Sequence, residues 1–225
     1  MAETGNRFTP RNYRVIAFDW DGTLVDSTAI IATSLQRACA DLGLCVPDDR
    51  AARHVIGLGL EDALRYVAPD LSVDRHPELA LRYREHYLVR DPDIPLFPGA
   101  LKLLRDLKLA GYSLAIATGK SRKGLDRALG QLGVLDLFDS TRCGDESPPK
   151  PHPDMLLCLA GHFGITPAQM LMIGDTTHDV QMARNAGAAV VAVTYGAHPT
   201  HQLAQTGVTL VHSVAELSAW IRQKG

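Results

Sequence analysis

Short, nearly uninterrupted apolar runs recur along this chain, once near its start and repeatedly in its second half. Each run includes β-branched residues and is followed at once by small or polar residues. Runs of this length predict strands that are buried on both faces, as in a parallel sheet. The five predicted strands are 15–18, 114–117, 170–173, 190–193 and 208–211.

Helical patterns fill the stretches between these strands from residue 98 onwards. Apolar residues recur every three or four positions over 101–109, 125–132 and 156–163, and a glycine follows each run. Proline near the first turn and glycine after the last turn are the usual asymmetry of α-helices. Ser213 and Glu216 form a capping-box pattern before a last helix, predicted at 217–222. The alternation predicts an α/β fold: a doubly wound, mostly parallel, Rossmann-like sheet.

One long segment breaks this alternation. It contains no convincing strand, only helical patterns at 30–42, 60–67 and 78–89, interrupted by prolines and glycines. Three prolines between residues 92 and 98 indicate a stiff return linker. We therefore expect an all-helical cap domain at residues 27–93, inserted into an α/β core domain made of residues 1–26 and 94–225.

Composition narrows the class of protein. The chain has 225 residues, with 23 Lys and Arg against 25 Asp and Glu, so its formal net charge is −2. This balance gives no basic surface for nucleic acid and no polybasic signal for a membrane. Residues 1–14 lack the apolar stretch of a secretory signal, and the run 186–193 is far shorter than the ~20 residues that span a bilayer. The sequence predicts a cytoplasmic protein, monomer or homodimer, that acts on a small molecule.

Four polar groups follow predicted strands, at the edge where open α/β sheets bind ligands. They are Asp19 and Asp21 in the letters DWDGT, Thr118 with Gly119, Lys150 between prolines, and Asp175 and Asp179 in the letters GDTTHD. If they converge, up to four carboxylates lie near one lysine. Two like charges about 4 Å apart repel by roughly 4 kcal/mol at an effective dielectric near 20, so such a cluster needs a cation. Oxygen ligands without cysteine favour Mg²⁺ over Zn²⁺.

Each motif has an ordinary structural explanation when it stands alone. Surface turns often contain a D-x-D pair, and Thr-Gly pairs and surface lysines are commoner still. The order of the four groups and their position after strands argue against coincidence.

The histidines give weaker signals. His178 has no role that spacing predicts, and we expect it to face solvent or to start a helix. His198 and His201 lack the close cysteine partner that would indicate a zinc site.

With these four motifs the sequence resembles the haloacid dehalogenase superfamily of phosphotransferases. Within it, the sequence is most similar to the phosphoglycolate-phosphatase-like branch with a helical C1 cap. The resemblance covers about residues 15–221, and its one departure is Trp20, where phenylalanine or leucine is commoner. True dehalogenases lack the second aspartate of the first motif, so Asp21 favours phosphoryl chemistry.

The resemblance implies a role for each motif residue. Asp19 would be the nucleophile and Asp21 the general acid and base. Phosphate would be bound by Thr118, Gly119 and Lys150. The metal Mg²⁺ would be held by Asp19, the carbonyl of Asp21 and Asp175, with Asp179 supporting.

The function implied is that of a magnesium-dependent phosphatase that hydrolyses a small phosphate monoester through an aspartyl-phosphate, with 2-phosphoglycolate as the first candidate. In the cap, Gly57 and Gly59 would form a loop near the ligand, and Arg53 or Arg65 would meet a second anionic group. Two alternatives stay open. One is a phosphosugar mutase of the same fold, and the other is a non-catalytic phosphate-binding or regulatory protein.

Overall fold

Six parallel strands form one sheet, in the order β3-β2-β1-β4-β5-β6. This computed structural model describes residues 12–224, so most of the segment 1–14, considered above for a secretory signal, lies outside the described residues. The strands are β1 Val15–Phe18, β2 Ser113–Ala117, β3 Ser140–Arg142, β4 Met170–Gly174, β5 Ala189–Val193 and β6 Thr209–Val211. The predicted parallel, doubly wound architecture is confirmed.

The strand missing from the sequence-based prediction is β3. It has three residues, all of them only half-buried, and it pairs with β2 alone at the edge of the sheet. A short edge strand needs no apolar run, because only part of its surface is covered. The other five strands lie within one residue of their predicted positions.

Two apolar layers cover the sheet. In β1, Ile16 and Phe18 belong to one buried cluster and Val15 and Ala17 to the other. Since alternate strand residues point to opposite faces, both faces must be apolar, which explains the continuous hydrophobic runs. The helices that follow β1 outside the insertion are α5 Ala100–Leu109, α6 Arg122–Leu132, α7 Asp154–Phe163, α8 Thr177–Ala186, α9 Thr200–Gln205 and α10 Val214–Lys224.

Helix ends follow the predicted signals, with one difference. Ser213 Oγ accepts the N–H of Glu216 at 3.1 Å, as a capping box requires. The Glu216 carboxylate, however, accepts the N–H of His212 at 2.6 Å. Ser213 therefore caps the last helix as predicted, but α10 begins at Val214, three residues earlier than expected, and the Glu216 carboxylate bonds one residue earlier than in the standard motif.

The inserted segment, residues 27–93, contains four α-helices. They are α1 Thr28–Asp41, α2 Asp49–His54, α3 Leu60–Val67 and α4 His76–Arg90. Helix α2 was not predicted, because its six residues are too few to show a helical period; Asp48 begins it by accepting the N–H of Ala51 at 2.7 Å. Apolar side chains of these helices join the cluster that contains β1 residues Ile16 and Phe18. That the segment is a separate domain stays a prediction.

The chain enters and leaves the insertion at adjacent points. The N–H of Asp26 donates to the Pro95 carbonyl at 3.0 Å, and the N–H of Phe97 donates to the Leu24 carbonyl at 2.9 Å. The two crossings therefore pair with each other beside the end of β1. No helix within residues 12–224 combines the length and apolar character needed to cross a bilayer.

Candidate active site

The first and fourth motifs meet because their strands are neighbours. Phe18 at the end of β1 pairs with Ile173 near the end of β4, and the N–H of Asp19 donates to the Ile173 carbonyl at 2.8 Å. Asp19 and Asp175 therefore leave the sheet side by side. One carboxylate oxygen each from Asp19, Asp175 and Asp179 lies within 4.8 Å of the others, and all three residues are buried.

Lys150 lies within this carboxylate cluster. Its Nζ is 2.6 Å from Asp19 Oδ1 and 2.6 Å from Asp179 Oδ1, and all three side chains are fully buried. Burial by itself would lower the pKa of Lys150, but the charges of Asp179 and Asp19 outweigh it and raise the pKa. The ammonium group is therefore held in its charged form. It partly neutralises two carboxylates that water cannot reach.

The single ammonium group of Lys150 does not balance the negative charge of the three carboxylates. Burial raises the pKa of Asp19 well above its usual value, against the opposing effect of Lys150, and the charges of Asp179 and Asp175 raise it further. Burial, with the charge of Asp179, also raises the pKa of Asp175 to about 7. Both shifts mean that without further positive charge the ionised cluster is unfavourable.

A divalent cation fits this donor set. Asp19 Oδ2 is buried and has no hydrogen-bond partner among the described residues. Asp175 is oriented by the Thr23 hydroxyl at 2.8 Å and by the N–H of Ala197 at 2.6 Å. An unpaired buried carboxylate oxygen beside other fixed carboxylates suits a hard ion such as Mg²⁺.

Asp179 has a different set of partners. Its Oδ2 accepts the N–H of Thr176 at 3.1 Å and the Thr176 hydroxyl at 2.7 Å, which caps α8, while Oδ1 accepts from Lys150. Both of its oxygens are therefore already bonded. This arrangement suits the supporting role expected for Asp179, since its carboxylate fixes Lys150.

Asp21 lies apart from the other three carboxylates. Its Oδ1 accepts from the Ser27 hydroxyl at 2.8 Å and lies 3.3 Å from Lys120 Nζ. Lys120 in turn donates to the Tyr87 hydroxyl at 2.7 Å, and its Nζ lies 4.6 Å from the centre of that ring. The expected group of four carboxylates around one lysine is thus divided into three around Lys150 and one beside a second lysine.

Sequence reasoning missed these partners of Asp21. Lys120 directly follows Thr118 and Gly119, yet nothing in the sequence separates it from a surface lysine, whereas its side chain is only 10% exposed. Tyr87 comes from α4, in the inserted segment. No local pattern links it to a motif 33 residues further along the chain.

The second motif meets the inserted segment. Thr118 is buried after β2, and its Oγ1 accepts the N–H of Lys120 at 3.1 Å. A Cβ added at Gly119 would overlap the backbone carbonyl oxygens of Gly57 and Leu58. The loop containing Gly57, whose φ of +92° favours glycine, therefore lies directly on the end of β2. Gly59 is looser, with its nearest neighbours 3.9 Å from an added Cβ.

The arginines proposed for a second anionic group are engaged within the insertion. Arg53 Nε donates to Asp49 at 2.8 Å, and its Nη1 donates to the Thr28 hydroxyl at 3.0 Å. Arg65 pairs with Glu61 on an exposed face of α3. Both arginines are thus bonded to acidic residues of their own helices.

Comparison with known proteins identifies related sequences. Residues 16–193 match the model of a family described as haloacid dehalogenase-like hydrolase. A probable phosphatase IndB of Dickeya dadantii (strain 3937) is 38% identical over 195 residues, which cover 84% of each chain. A phosphoglycolate phosphatase of Pasteurella multocida (strain Pm70) is 34% identical over 194 residues, covering 82% of this chain and 87% of the relative.

A solved structure shows the same fold. It is described as a predicted phosphoglycolate phosphatase from Haemophilus somnus 129pt and is 30% identical to this chain. The match has a TM-score of 0.81 and covers 92% of this chain and 97% of the other.

Proposed function

The chain belongs to the haloacid dehalogenase-like hydrolase family and is a phosphoric monoester hydrolase, and we propose that it hydrolyses a small phosphate monoester at the Asp19 carboxylate. The relative from Pasteurella multocida is named for phosphoglycolate, so 2-phosphoglycolate is the first candidate substrate. The observation that carries the proposal is Asp19 itself. It is fully buried, one oxygen is fixed by Lys150, and the other has no hydrogen-bond partner within residues 12–224.

Asp19 is the proposed nucleophile. Its carboxylate oxygen attacks phosphorus, the ester P–O bond breaks, and an aspartyl-phosphate forms while Asp21 gives a proton to the departing alcohol oxygen. Water then attacks the phosphorus and Asp21 takes its proton. The bond to Asp19 breaks and inorganic phosphate leaves. Splitting a very slow hydrolysis into two displacements lowers the barrier of each.

Positive charge at this site must stabilise the phosphoryl oxygens. Lys150 is fixed between two carboxylates and cannot move away when charge develops, so it acts as a preorganised cation. The Thr118 hydroxyl and the N–H of Gly119 are proposed to donate to the phosphoryl group. Asp19, Asp175 and the carbonyl of Asp21 would hold Mg²⁺, with Asp179 in support. Bound there, the ion would offset the negative charge of the transferring group.

The inserted segment is proposed to exclude water and select the substrate. The Gly57–Leu58 backbone lies against Gly119, and Tyr87 reaches Lys120 beside Asp21. Both contacts come from the insertion, so its position controls access to the strand ends. We propose Gly57, Gly59 and Arg53 as the part of the insertion nearest the leaving group.

The test is a screen of phosphorylated metabolites for release of free phosphate with Mg²⁺, alongside p-nitrophenyl phosphate. Wild-type protein is expected to release phosphate from small monoesters, and Asp19→Asn to lose turnover. The matched control is Asp136→Asn, which removes an exposed carboxylate and should leave the rate unchanged.

Three results would overturn the proposal. Normal turnover by Asp19→Asn would exclude Asp19 as the nucleophile. Accumulation of a sugar bisphosphate in place of free phosphate would identify a mutase. No phosphate release with Mg²⁺, Mn²⁺ or Co²⁺ would favour a phosphate-binding or regulatory protein.

A further inference from the structure

Three histidines from distant parts of the chain meet beside the carboxylate cluster. His54 is the last residue of α2, His178 is the second residue of α8, and His198 lies between β5 and α9. A ring nitrogen of each lies within 4.8 Å of the others. The ring centroids are 5.0, 5.2 and 5.3 Å apart. We call these residues the histidine cluster.

We propose that the histidine cluster is a second metal site, which binds a transition ion of the Zn²⁺ type rather than Mg²⁺. Three imidazoles that bind one ion tetrahedrally at about 2.0–2.1 Å have ring centroids about 5 Å apart, which is the spacing observed. Imidazole nitrogen favours zinc, cobalt, nickel and copper, whereas Mg²⁺ prefers carboxylate oxygen. The two neighbouring sites would therefore select different ions.

One carbonyl orients two of the rings. The Nε2 atoms of His178 and His198 lie 2.9 and 3.0 Å from the backbone carbonyl oxygen of His54. A carbonyl oxygen only accepts hydrogen bonds, so each Nε2 carries its proton and each Nδ1 carries a lone pair. Metal-binding histidines commonly donate their second ring nitrogen to such a carbonyl. Two rings that share one carbonyl oxygen point their Nδ1 atoms apart, however, and the ring of His198 lies within 13° of parallel to that of His54. The His198 ring must therefore turn before all three histidines bind one ion.

The three rings are not equally free to bind. No hydrogen bond from another described residue reaches the ring of His54 or Nδ1 of His178. Nδ1 of His198 accepts the N–H of Thr177 at 3.1 Å and must give up that bond to bind an ion. His54 and His178 are therefore the two ready ligands, and His198 becomes the third at the cost of its hydrogen bonds to Thr177 and to the His54 carbonyl. Three protein ligands leave a fourth position open to water.

An ion in this cluster would join the insertion to the sheet. His54 belongs to the inserted segment, while His178 and His198 follow β4 and β5. Gly57 begins the loop that lies on Gly119, three residues after His54. A bound ion would hold this loop on the strand end. The proposed ion would thus stabilise the contact between this loop and Gly119, and it would take no part in the chemistry at Asp19.

The experiment uses cobalt as a visible probe for the zinc site. Metal-free, full-length protein is titrated with Co²⁺ in millimolar Mg²⁺, which occupies the carboxylate cluster, and the d–d absorption is recorded. We expect one Co²⁺ to bind per chain and to give the stronger d–d absorption of a four- or five-coordinate nitrogen site. One equivalent of Zn²⁺ should displace this Co²⁺. This readout does not depend on turnover, so it is independent of the proposed function.

Two variants test the ligands. His54→Ala removes a ring but keeps the backbone carbonyl that bonds the other two histidines, and we expect it to weaken Co²⁺ binding at least about 10²-fold. His198→Asn should weaken binding comparably, and thermal unfolding verifies that each variant is folded. His201→Ala is the matched control, because His201 is exposed and outside the cluster. Equal binding by wild type and His54→Ala, or only the weak absorption of an octahedral oxygen site, would overturn the proposal.

The stabilisation of the loop by the bound ion is measured separately. Amide hydrogen exchange of residues 55–59 should slow at least about 10-fold when Zn²⁺ is added to wild-type protein in Mg²⁺, and should not slow in His54→Ala. Unchanged exchange in wild-type protein that has bound Zn²⁺ would show that the ion does not stabilise the loop.

Discussion

The carboxylate cluster and the contact between the insertion and the sheet lie next to each other but are held in different ways. Asp19 and Asp175 come directly from two paired strands, and Lys150 binds between two carboxylates with no exposure to solvent. The contact with the insertion is made by apolar side chains that share a cluster with β1 and by hydrogen bonds between distant segments, such as that from Lys120 to the Tyr87 hydroxyl. The first region is fixed by the pairing of two strands, whereas the second is held by side-chain and loop contacts, and we propose that these contacts can open without unfolding the sheet.

This difference suits the proposed chemistry. A nucleophile and a cation must be preorganised before the substrate arrives, because reorganisation at the moment of reaction costs rate. A segment that covers the active site must open to admit substrate and release product. Substitutions in the two regions should therefore have different signatures, with stability and turnover both affected in the first and mainly turnover affected in the second.

The largest effect is expected for Lys150→Met. Removing the ammonium leaves Asp19 and Asp179 buried without their shared partner, which should cost about 3 kcal/mol or more in the free energy of unfolding. Turnover should fall about 10³-fold, since a preorganised donor is lost. Urea unfolding and phosphate release measure the two effects. Lys123→Met, at an exposed position of α6, is the control. Loss of turnover without loss of stability would show that the lysine does not hold the cluster together.

The next largest effect is expected for Gly119→Ala. The added Cβ meets the backbone carbonyls of Gly57 and Leu58, so the loop must move off the strand end. A displacement of this size should lower kcat/KM about 10²-fold while leaving the melting temperature nearly unchanged. Gly130→Ala is the matched control, because no atom lies within 4 Å of a Cβ added at this position of α6. A wild-type rate for Gly119→Ala would show that the close contact of this loop is not needed.

The pH dependence of metal stabilisation tests the carboxylate cluster alone. Without metal, Asp175 titrates near pH 7 in the folded protein and near pH 4 when unfolded, so between these values the folded state binds more protons. The free energy of unfolding therefore falls as pH rises through this window. Mg²⁺ favours the ionised carboxylates. It should raise the melting temperature about 5 °C more at pH 8 than at pH 5. Calorimetry with Mg²⁺ or EDTA measures the difference; the same rise at both pH values would contradict it.

The smallest effect is expected for Tyr87→Phe. The substitution removes the hydroxyl that Lys120 bonds but keeps the ring that its ammonium faces. One hydrogen bond to a charged group is worth about 1.5–3 kcal/mol at most, and Lys120 keeps Asp21, so we expect a three- to tenfold fall in kcat. Tyr66→Phe, on the exposed side of α3, is the control. A fall as large as that of Lys150→Met would show that the insertion is part of the fixed site.

The strands and the helices around the sheet were largely readable from the sequence. Buried parallel strands need apolar residues on both faces, so their runs are unmistakable, as at Val15–Phe18. The motif aspartates stand directly after such runs, which placed Asp19 and Asp175 at strand ends. Short elements carried no such signal. Strand β3 is half-buried, and α2 is too short to show a period.

The contacts around Asp21 were not readable. Lys120 is nearly buried because Tyr87 and Asp21 surround it, and both are distant in sequence. His178 was expected to face solvent or to start a helix; it lies in the first turn of α8, but it is half-buried. Its two histidine neighbours come from α2 and from the loop after β5. Pairs of this kind depend on how segments pack, and no local spacing encodes packing.

The amino-acid sequence by itself determined the parallel sheet, the helical character of the insertion and the acidic residues that end two strands. Hydrophobic periodicity and turn chemistry act over a few residues, so they can be read along the chain. The tertiary structure alone decided that Asp21 faces a second lysine, that Gly57 lies on Gly119 and that three histidines meet. These contacts arise when distant surfaces are buried against each other, and that burial depends on the whole fold.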